Sequence, residues 1–427
     1  MVDTPSFMTL VPTHLRFALA LPFLVLTSCG DSTSDPVSPD PLTIQIEGVE
    51  DGASYGEPVT ISWTVSPSGA SASGELNGEP FTSGSTVNRP GEYSLTVEAV
   101  RSGDRAEAQV DFSLQITGER VLILRMFDLG REGLGGGGDA ILVSDSSSLG
   151  VRHGMVDAGP RGDPGPTSGS DPIIRDEYVT EQLIALGVDT LEFLQLTHAH
   201  ADHFGGMAPI LQSVHVREFI YNGQPRNFGR YQTVLSAANS LADTVIVLSH
   251  DYEVLLGGDE AGVRTVHLPG LPDYLSMTTN DGRLLNEGSL GTLVEFDGVR
   301  LFLTGDSEVE ANQRWRTTYG DQTANIEILK VGHHGANNAI FDDGTGGTSQ
   351  QSSWLEHTRP ELMLIPSNGR SHPRVRALNR MHQESSAQVY CTNVHGRIEV
   401  RIAGGWWDVT TERNANADCV PGSEANT

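Results

Sequence analysis

Apolar and polar residues alternate along the chain from about Leu42 to Leu114, in short runs such as "EPVTISWTV" and "GEYSLTVEAV". Turn-forming pairs separate these runs, among them Asp51-Gly52 and Asn77-Gly78. Alternation with a period of two, interrupted at short intervals, is typical of a small antiparallel β-sandwich. The pattern therefore predicts an all-β domain over residues 42–117.

This all-β segment contains no cluster of residue types that carry chemistry. Its pattern resembles that of bacterial immunoglobulin-like modules, with Trp63 and Tyr93 as the expected core aromatics. We expect it to act as a spacer or an adhesion module.

The pattern changes at Val121, where strand-like apolar runs begin to alternate with helical stretches. "TLEFLQLT" (Thr190–Thr197) has the nearly continuous apolar character of a strand that is buried on both faces. The helix before it is predicted to start at Asp171 and Pro172 and to stop at Gly187. This alternation indicates an α/β domain, which we place at residues 121–410, followed by an acidic tail over 411–427.

The N-terminus has the features of a targeting segment. Arg16 precedes the apolar run "FALALPFLVL" (Phe17–Leu26), which suits a signal peptide and is too short to span a bilayer as a helix. "LTSC" resembles the bacterial lipobox, in which the cysteine, here Cys29, is lipidated. We interpret residues 1–29 as a lipoprotein signal and 30–41 as a flexible tether. The protein is then exported and membrane-anchored, in the periplasm or at the cell surface. An ordinary cleaved signal peptide is the alternative.

The formal net charge of −28 restricts the partners of this chain. A strongly acidic surface repels polyanions, so a general nucleic-acid-binding face is not expected. One local cationic site is still compatible with this charge, because bound divalent metals reverse the field around them.

Two cysteines remain after Cys29, namely Cys391 and Cys419. In an oxidising compartment they can form a disulfide, and two separate thiols are the alternative. The sequence does not decide between these, because it does not contain their separation in space.

The segment "LTHAHADHFGGM" places four ligand-type residues within six positions, directly after a predicted strand. Because residues two apart in an extended segment point the same way, His198 and His200 can reach one metal ion. Asp202 and His203 then face a second ion. Imidazole and carboxylate ligands suit zinc, manganese or iron. The motif therefore predicts a binuclear metal site at the C-terminal end of a strand.

Further motifs follow in a fixed order: "LFLTGDSEVEA", "ILKVGHHGANN" and "PSNGRSHPRVRALNRM", with "FDLG" and "VDAG" upstream. Over residues 121–400 this order resembles the metallo-β-lactamase fold superfamily. Within it, the motifs are most similar to the corresponding domain of the ComEC/Rec2 competence proteins and their stand-alone relatives. The resemblance implies an αββα sandwich with metals at one edge, here preceded by the small all-β immunoglobulin-like domain.

The resemblance also assigns roles to individual residues. Asp306 corresponds to the aspartate that bridges the two metals, and His334 to a ligand of the second metal. His333 would contact the substrate oxygen or protonate the leaving group, although the two histidines could exchange roles. The implied metal ligands are His198, His200, Asp202, His203, Asp306 and His334.

The assigned catalytic residues are Asp202 and His333, and the candidate substrate-binding residues are His372, Asn286 and Ser289. Many superfamily members have a third histidine at the first metal. Here His267 lies near the expected place, and whether it is a ligand or a buried histidine stays open.

The expected protein is thus a lipid-anchored binuclear hydrolase that uses two divalent metal ions, with zinc favoured over manganese or iron. It would cleave a small or polymeric phosphodiester by means of a metal-bound hydroxide. Hydrolysis of a lactam, lactone or thioester is the first alternative, and a non-catalytic surface binding protein is the second. The resemblance of the paired histidines to those of phosphodiester-cleaving relatives favours phosphodiesters, and the intact ligand set favours an enzyme. The sequence does not indicate an oligomeric state.

Overall fold

The computed structural model describes residues 41–56, 58–87, 91–114, 120–129, 137–160, 177–258, 262–272, 281–384 and 387–423. The signal segment with Cys29, most of the tether, and the predicted helix start at Asp171 and Pro172 lie outside these residues. Among the described residues, no helix combines the length and apolar character that crossing a membrane requires.

The N-terminal region consists of β-strands in two sheets. Its strands are β1 (Thr43–Glu47), β2 (Ala53–Tyr55), β3 (Val59–Ser66), β4 (Ser71–Leu76), β5 (Glu79–Phe81), β6 (Ser85–Val87), β7 (Gly91–Arg101) and β8 (Asp104–Leu114). A three-stranded sheet has the order β1-β3-β6, and a five-stranded sheet has the order β2-β8-β7-β4-β5. Trp63 and Tyr93 are half-buried and pack against the apolar core of this region. The β-rich character is confirmed, and the immunoglobulin-like identity stays a prediction.

The C-terminal region contains two large sheets. Its strands are β9 (Arg120–Met126), β10 (Ile141–Ser147), β11 (Gly150–Val156), β12 (Thr190–Leu196), β13 (His215–Tyr221), β14 (Thr244–Val247), β15 (Tyr252–Leu255), β16 (Arg264–Leu268), β17 (Gly291–Phe296), β18 (Val299–Leu303), β19 (Ile328–Lys330), β20 (Leu362–Ile365), β21 (Gln388–Cys391), β22 (Ile398–Ala403) and β23 (Trp406–Thr411). An eight-stranded sheet has the order β14-β13-β12-β11-β10-β9-β22-β23, and a seven-stranded sheet has the order β15-β16-β17-β18-β19-β20-β21.

Helices cover the outer faces of both sheets. They are α1 (Tyr178–Ala185), α2 (Ala201–Phe204), α3 (Met207–Ser213), α4 (Gly229–Leu241), α5 (Gly282–Glu287), α6 (Val309–Thr318), α7 (Gly320–Thr323), α8 (Asn337–Ile340), α9 (Ser353–Thr358), α10 (Val375–His382) and α11 (Thr392–His395). A short 3-10 turn spans Gly332–Gly335.

Three apolar layers hold these elements together. The middle layer lies between the two sheets and includes Val143 and Phe193 from one sheet and Val294 and Leu301 from the other. One outer layer packs α1–α4 on the eight-stranded sheet, and the other packs α6 and α8–α10 on the seven-stranded sheet. Full burial of each large apolar side chain stabilises the fold by about 1.5–3 kcal/mol. The C-terminal region is therefore the predicted αββα sandwich.

Two runs of parallel strands form the edge of the sandwich at which the candidate site lies. Strands β11 to β14 are parallel to one another, and so are β18 to β21. Parallel strands end at the same edge of a sheet, and their carboxyl ends form a crevice for ligands. Asp157 follows β11, His198 follows β12 and Asp306 follows β18.

Residues 411–423, the described part of the chain beyond residue 410, pack on the sandwich. The predicted domain boundary falls inside β23, and the backbone N–H of Gly422 donates to Pro373 O at 3.0 Å. Cys419 is buried and forms a disulfide with Cys391. Residues 412–423, which were expected to form a tail, are therefore held against the rest of the domain.

Candidate metal centre

The histidine-rich segment turns sharply between β12 and α2. His198 lies just past the end of β12, His200 precedes the first turn of α2, and His203 lies within it. The turn is packed so closely against Gly138 that a Cβ at this glycine would lie 2.1 Å from the carbonyl oxygen of Asp202. Only glycine fits there, which gives the end of the glycine-rich segment 133–138 a packing role.

His198, His200 and Asp306 form the first group of potential metal ligands, with one ligand atom of each within 4.8 Å of the others. Nε2 of His198 lies 2.8 Å from Nδ1 of His200 and 3.9 Å from Oδ2 of Asp306. His198 is completely buried, and this burial holds the pKa of its imidazole well below the usual value. A neutral imidazole is the form that binds metals.

Asp139, His203, Asp306 and His334 form the second group, again with ligand atoms within 4.8 Å of one another. Oδ2 of Asp306 lies 3.2 Å from Nε2 of His203 and 3.3 Å from Nε2 of His334. Asp202 stands at the rim, with its Oδ2 3.7 Å from Nε2 of His334. Asp306 therefore belongs to both groups, at the place where a bridging ligand would lie.

Hydrogen bonds fix the orientation of His203 from behind. Its Nδ1 lies 2.7 Å from Oδ2 of Asp157, which also accepts a hydrogen bond from the Thr197 hydroxyl at 2.7 Å. The Thr197 backbone N–H donates to the other oxygen of Asp157 at 2.8 Å. A carboxylate on one ring nitrogen leaves the other, Nε2, to face the centre of the site.

His334 is fixed in a similar way, since its Nδ1 lies 2.9 Å from the carbonyl oxygen of Pro366. Burial alone would lower the pKa of His334, but Asp306, Asp139 and Asp202 raise it well above its usual value. Burial likewise opposes the effect of Asp306 and Asp157, which raise the pKa of His203 well above its usual value. The site is thus a strongly anionic pocket that favours cationic charge.

Several buried polar atoms in this pocket make no hydrogen bond among the described residues. They include Nε2 of His203, Nε2 of His334 and Oδ1 of Asp306. Buried polar atoms are normally paired, so unpaired imidazole and carboxylate atoms that converge on one point require an explanation. Divalent metal ions provide one, because these are the ligand types that zinc, manganese and iron bind. The residues present therefore fit a metal centre.

Asp139 and Lys330 belong to the site although the sequence did not identify them. Asp139 lies in the second ligand group. Lys330 is completely buried. Its Nζ lies 2.5 Å from Oδ2 of Asp139 and 3.8 Å from Oδ1 of Asp306. The only sequence signals were "GGDAILV" and the position of the lysine beside the histidine pair.

His333 and His334 both have left-handed backbone conformations, with φ of 43° and 54°. This conformation is costly for residues other than glycine and is found at functional sites. It allows the adjacent side chains to diverge. Whereas His334 faces Asp306, Nδ1 of His333 lies 3.0 Å from Oε1 of the buried Glu308.

Asn286 and Ser289 lie beneath the ligands, and both are buried. The side-chain amide of Asn286 donates to Oε1 of Glu308 at 2.7 Å. The Ser289 hydroxyl accepts from the backbone N–H of Asp306 at 3.2 Å and lies 3.4 Å from Nδ1 of His198. Their contacts are those of residues that hold other site residues, and their role in substrate binding stays a prediction.

An open cleft of about 360 Å³ leads to the second ligand group. His372 lies in its wall, with its ring centroid 5.2 Å from that of His333. Burial, with His334 and His333 nearby, lowers the pKa of His372 to about 3, so it is neutral at physiological pH. The side chains in the wall include Asp202, Arg230, His333, His334, Asn368 and His372.

His267, the candidate third histidine, joins neither ligand group, and neither do His215 and His250, which lie in the same interval of the sequence. His267 is buried, its Nδ1 contacts Oε1 of Gln195, and burial lowers its pKa to about 3. His215 pairs with Asp243 on the surface, and His250 is exposed beside Ser249. Within the described residues, the first ligand group therefore contains two histidines and Asp306.

Comparison with known proteins gives the same picture. Residues 163–342 match the family model described as "Metallo-beta-lactamase superfamily". ComE operon protein 3 of Bacillus subtilis is 27% identical over 224 residues, which are 51% of this chain and 26% of that protein. Recombination protein 2 of Haemophilus influenzae is 28% identical over 216 residues, which are 50% of this chain and 22% of that protein. The match thus spans about a quarter of the length of these curated relatives.

Among solved structures, that of a mutant CmlA beta-hydroxylase matches with a TM-score of 0.39 and 15% identity. The match covers 67% of this chain and 55% of that chain. The family match and the two sequence relatives make the assignment clear: this chain contains a metallo-beta-lactamase superfamily domain and is a distant homologue of ComE operon protein 3 and Recombination protein 2.

Proposed function

We propose that this protein is a binuclear metal-dependent hydrolase that cleaves phosphodiester bonds. The observation that carries the proposal is the shared position of Asp306, which belongs to one ligand group with His198 and His200 and to another with His203 and His334. Two ligand groups joined by one carboxylate are the arrangement that a two-metal hydrolase needs.

The residues of each group would hold one ion. His198, His200 and Asp306 would hold the first, and Asp202, His203, Asp306 and His334 the second, with Asp139 at the base of the second group. When bound, such ions activate water and neutralise the charge that develops on the attacked phosphate.

The side chains of the protein contribute proton transfer to the leaving group and the orientation of the proton donor. Hydrolysis adds water across one P–O ester bond, so a proton must reach the leaving oxygen. His333 lines the cleft, and Glu308 holds its Nδ1. Nε2 then remains to deliver the proton, and His333 acts as the general acid.

The proposal includes export and anchoring through Cys29, which rest on the apolar run and the "LTSC" segment. A Cys29→Ser variant should leave the membrane fraction and lose incorporation of labelled fatty acid. If it stays in the membrane fraction, the anchor lies elsewhere.

The test of the function is metal content together with turnover. We would purify the chain without residues 1–29, measure bound metal by mass spectrometry, and assay bis(p-nitrophenyl) phosphate with and without chelator. The proposal predicts about two metals per chain and hydrolysis that stops on chelation and returns with zinc or manganese.

Asp306→Asn tests the ligand that the two groups share, and Asp251→Asn, at an exposed position, is its control. Asp306→Asn should bind less metal and lose activity by a factor on the order of 10³, whereas the control should match the wild type. Two metals without phosphodiester turnover would overturn the proposed substrate and direct the search to lactams and thioesters. Unchanged turnover in Asp306→Asn would overturn the two-metal mechanism.

A further inference from the structure

A second recess of about 250 Å³ lies beside the metal cleft, between helices α2, α3 and α4. Apart from Arg230 and Thr233, its walls are apolar or glycine. We call it the trough, and its wall residues include Ala201, Phe204, Ala208, Pro209, Thr233 and Val234.

The trough is continuous with the cleft. Ala201 and Arg230 line both recesses, and Ala201 directly precedes Asp202 at the rim of the metal centre. A molecule that has its reactive group in the cleft can therefore extend over Ala201 into the trough without leaving the protein surface.

Arg230 stands at the junction and is exposed. Among the described residues it makes no ion pair, in contrast to Arg226, whose guanidinium donates to Ala199 O and stacks 5.0 Å from the Phe228 ring. An exposed arginine that forms no ion pair within the described part of the chain, in a protein of net charge −28, is a ready site for an anionic group.

We infer that the trough and Arg230 together define the substrate class: a phosphodiester in which one ester group is apolar, such as an alkyl chain or an aryl ring. The phosphate would lie between Arg230 and the metal centre, and the apolar group would lie in the trough. The inference rests on the proposed phosphodiesterase function. A long polynucleotide fits less well, because its further phosphates would cross an acidic surface.

Binding of alkylphosphonates tests this without turnover. Methyl-, butyl- and octylphosphonate would be titrated into the metal-loaded protein by calorimetry. Each buried methylene strengthens binding, so burial of three more methylenes should make butylphosphonate bind on the order of 50-fold more tightly than methylphosphonate. Arg230→Gln should weaken all three ligands alike, by on the order of tenfold.

Thr233 and Ser236 provide a matched pair, because both are exposed on α4 and only Thr233 lines the trough. Thr233→Trp should fill the trough, remove the gain with chain length and leave methylphosphonate binding unchanged. Ser236→Trp should behave as the wild type. The inference is overturned if affinity does not rise with the length of the alkyl chain. It is also overturned if a single-stranded oligonucleotide binds more tightly than octylphosphonate and the oligonucleotide binds equally well to Thr233→Trp.

The two proposals fail in different ways. If the protein cleaves bis(p-nitrophenyl) phosphate but shows no dependence on chain length, the function stands and the substrate class is wrong. If it cleaves no phosphodiester but Thr233→Trp abolishes a clear gain with chain length, the trough is an apolar ligand site and the reaction is wrong.

Discussion

Nζ of Lys330 lies 2.5 Å from Oδ2 of Asp139, and both side chains are shielded from solvent. The Lys330 ammonium also contacts the carbonyl oxygen of Gly305, next to Asp306. Although burial alone would raise it, Lys330 and His334 keep the pKa of Asp139 below its usual value. The amino group of Lys330 thus lies beneath a pocket of carboxylates.

Removal of this lysine should destabilise the fold. Lys330→Met leaves Asp139 as a buried charge without its main partner, and breaking a buried pair in this way costs about 3–5 kcal/mol. The measurement is the free energy of unfolding in urea, with chelator present so that metal binding does not contribute. The double variant Lys330→Met/Asp139→Asn should lose less than the sum of the two single variants, because the charges are then removed together. Strict additivity would show that the two side chains do not interact.

Glu308 should affect catalysis without affecting metal binding. Glu308 contacts Nδ1 of His333 and belongs to neither group of potential metal ligands. Glu308→Gln should lower kcat by about 10- to 100-fold, since a neutral amide holds the imidazole of His333 less firmly in its orientation. Glu310→Gln, two residues further on, is the control, because Glu310 forms an ion pair with the exposed Arg283 and belongs to neither group of potential metal ligands.

Metal analysis of two further variants, one at each of the adjacent histidines His333 and His334, decides which histidine is a ligand. His333→Gln should retain about two metals, whereas His334→Gln should lose one. The opposite result would show that His333 is the ligand and that His334 faces the substrate.

Stability should depend on pH through Glu287. Burial raises the pKa of this carboxyl from 4.5 to about 7, and its oxygens accept hydrogen bonds from the backbone N–H groups of Glu310 and Ala311. Because the folded state holds the proton more tightly than the unfolded state, this stabilisation is fully present below about pH 4.5. It is lost as the pH rises through about 7, by up to about 3 kcal/mol.

Glu287→Gln cannot titrate, so it isolates this contribution. The unfolding free energy of the wild type should fall relative to that of the variant as the pH rises from 4.5 to 7.5, and the difference should then become constant. Urea unfolding at several pH values measures it, and Glu107→Gln, at an exposed position of the N-terminal region, should give a curve parallel to the wild type. Parallel curves for Glu287→Gln as well would show that the carboxyl ionises normally.

The sequence predicts those features of the fold and the site whose residues lie close together along the chain. The metal motif at His198–His203 is contained in one turn, and Asp306 follows an obvious buried strand. The structure brings these residues together because the parallel strands β12 and β18 end at the same edge of the sandwich. The αββα architecture was accessible through the resemblance, since the order of the motifs follows the order of the strands.

Asp139, Glu308 and Lys330 were not predicted in their observed positions. The role of each residue depends on its burial or on a contact with a residue distant in sequence. Burial and long-range contacts leave no local pattern in the sequence. A lysine beside two histidines looks the same in sequence whether it is exposed or enclosed.

The disulfide between Cys391 and Cys419 should hold the end of the chain in place. It closes a segment with a sequence separation of 28 and joins β21 to the residues that follow β23. Closing a loop of this length is expected to stabilise the fold by about 3–4 kcal/mol, mainly by restricting the unfolded chain. Reduced wild type should therefore unfold at a lower urea concentration than oxidised wild type. Cys391→Ala/Cys419→Ala should resemble the reduced protein and should not respond to reductant. If oxidised and reduced wild type unfold at the same urea concentration, the crosslink does not contribute to stability.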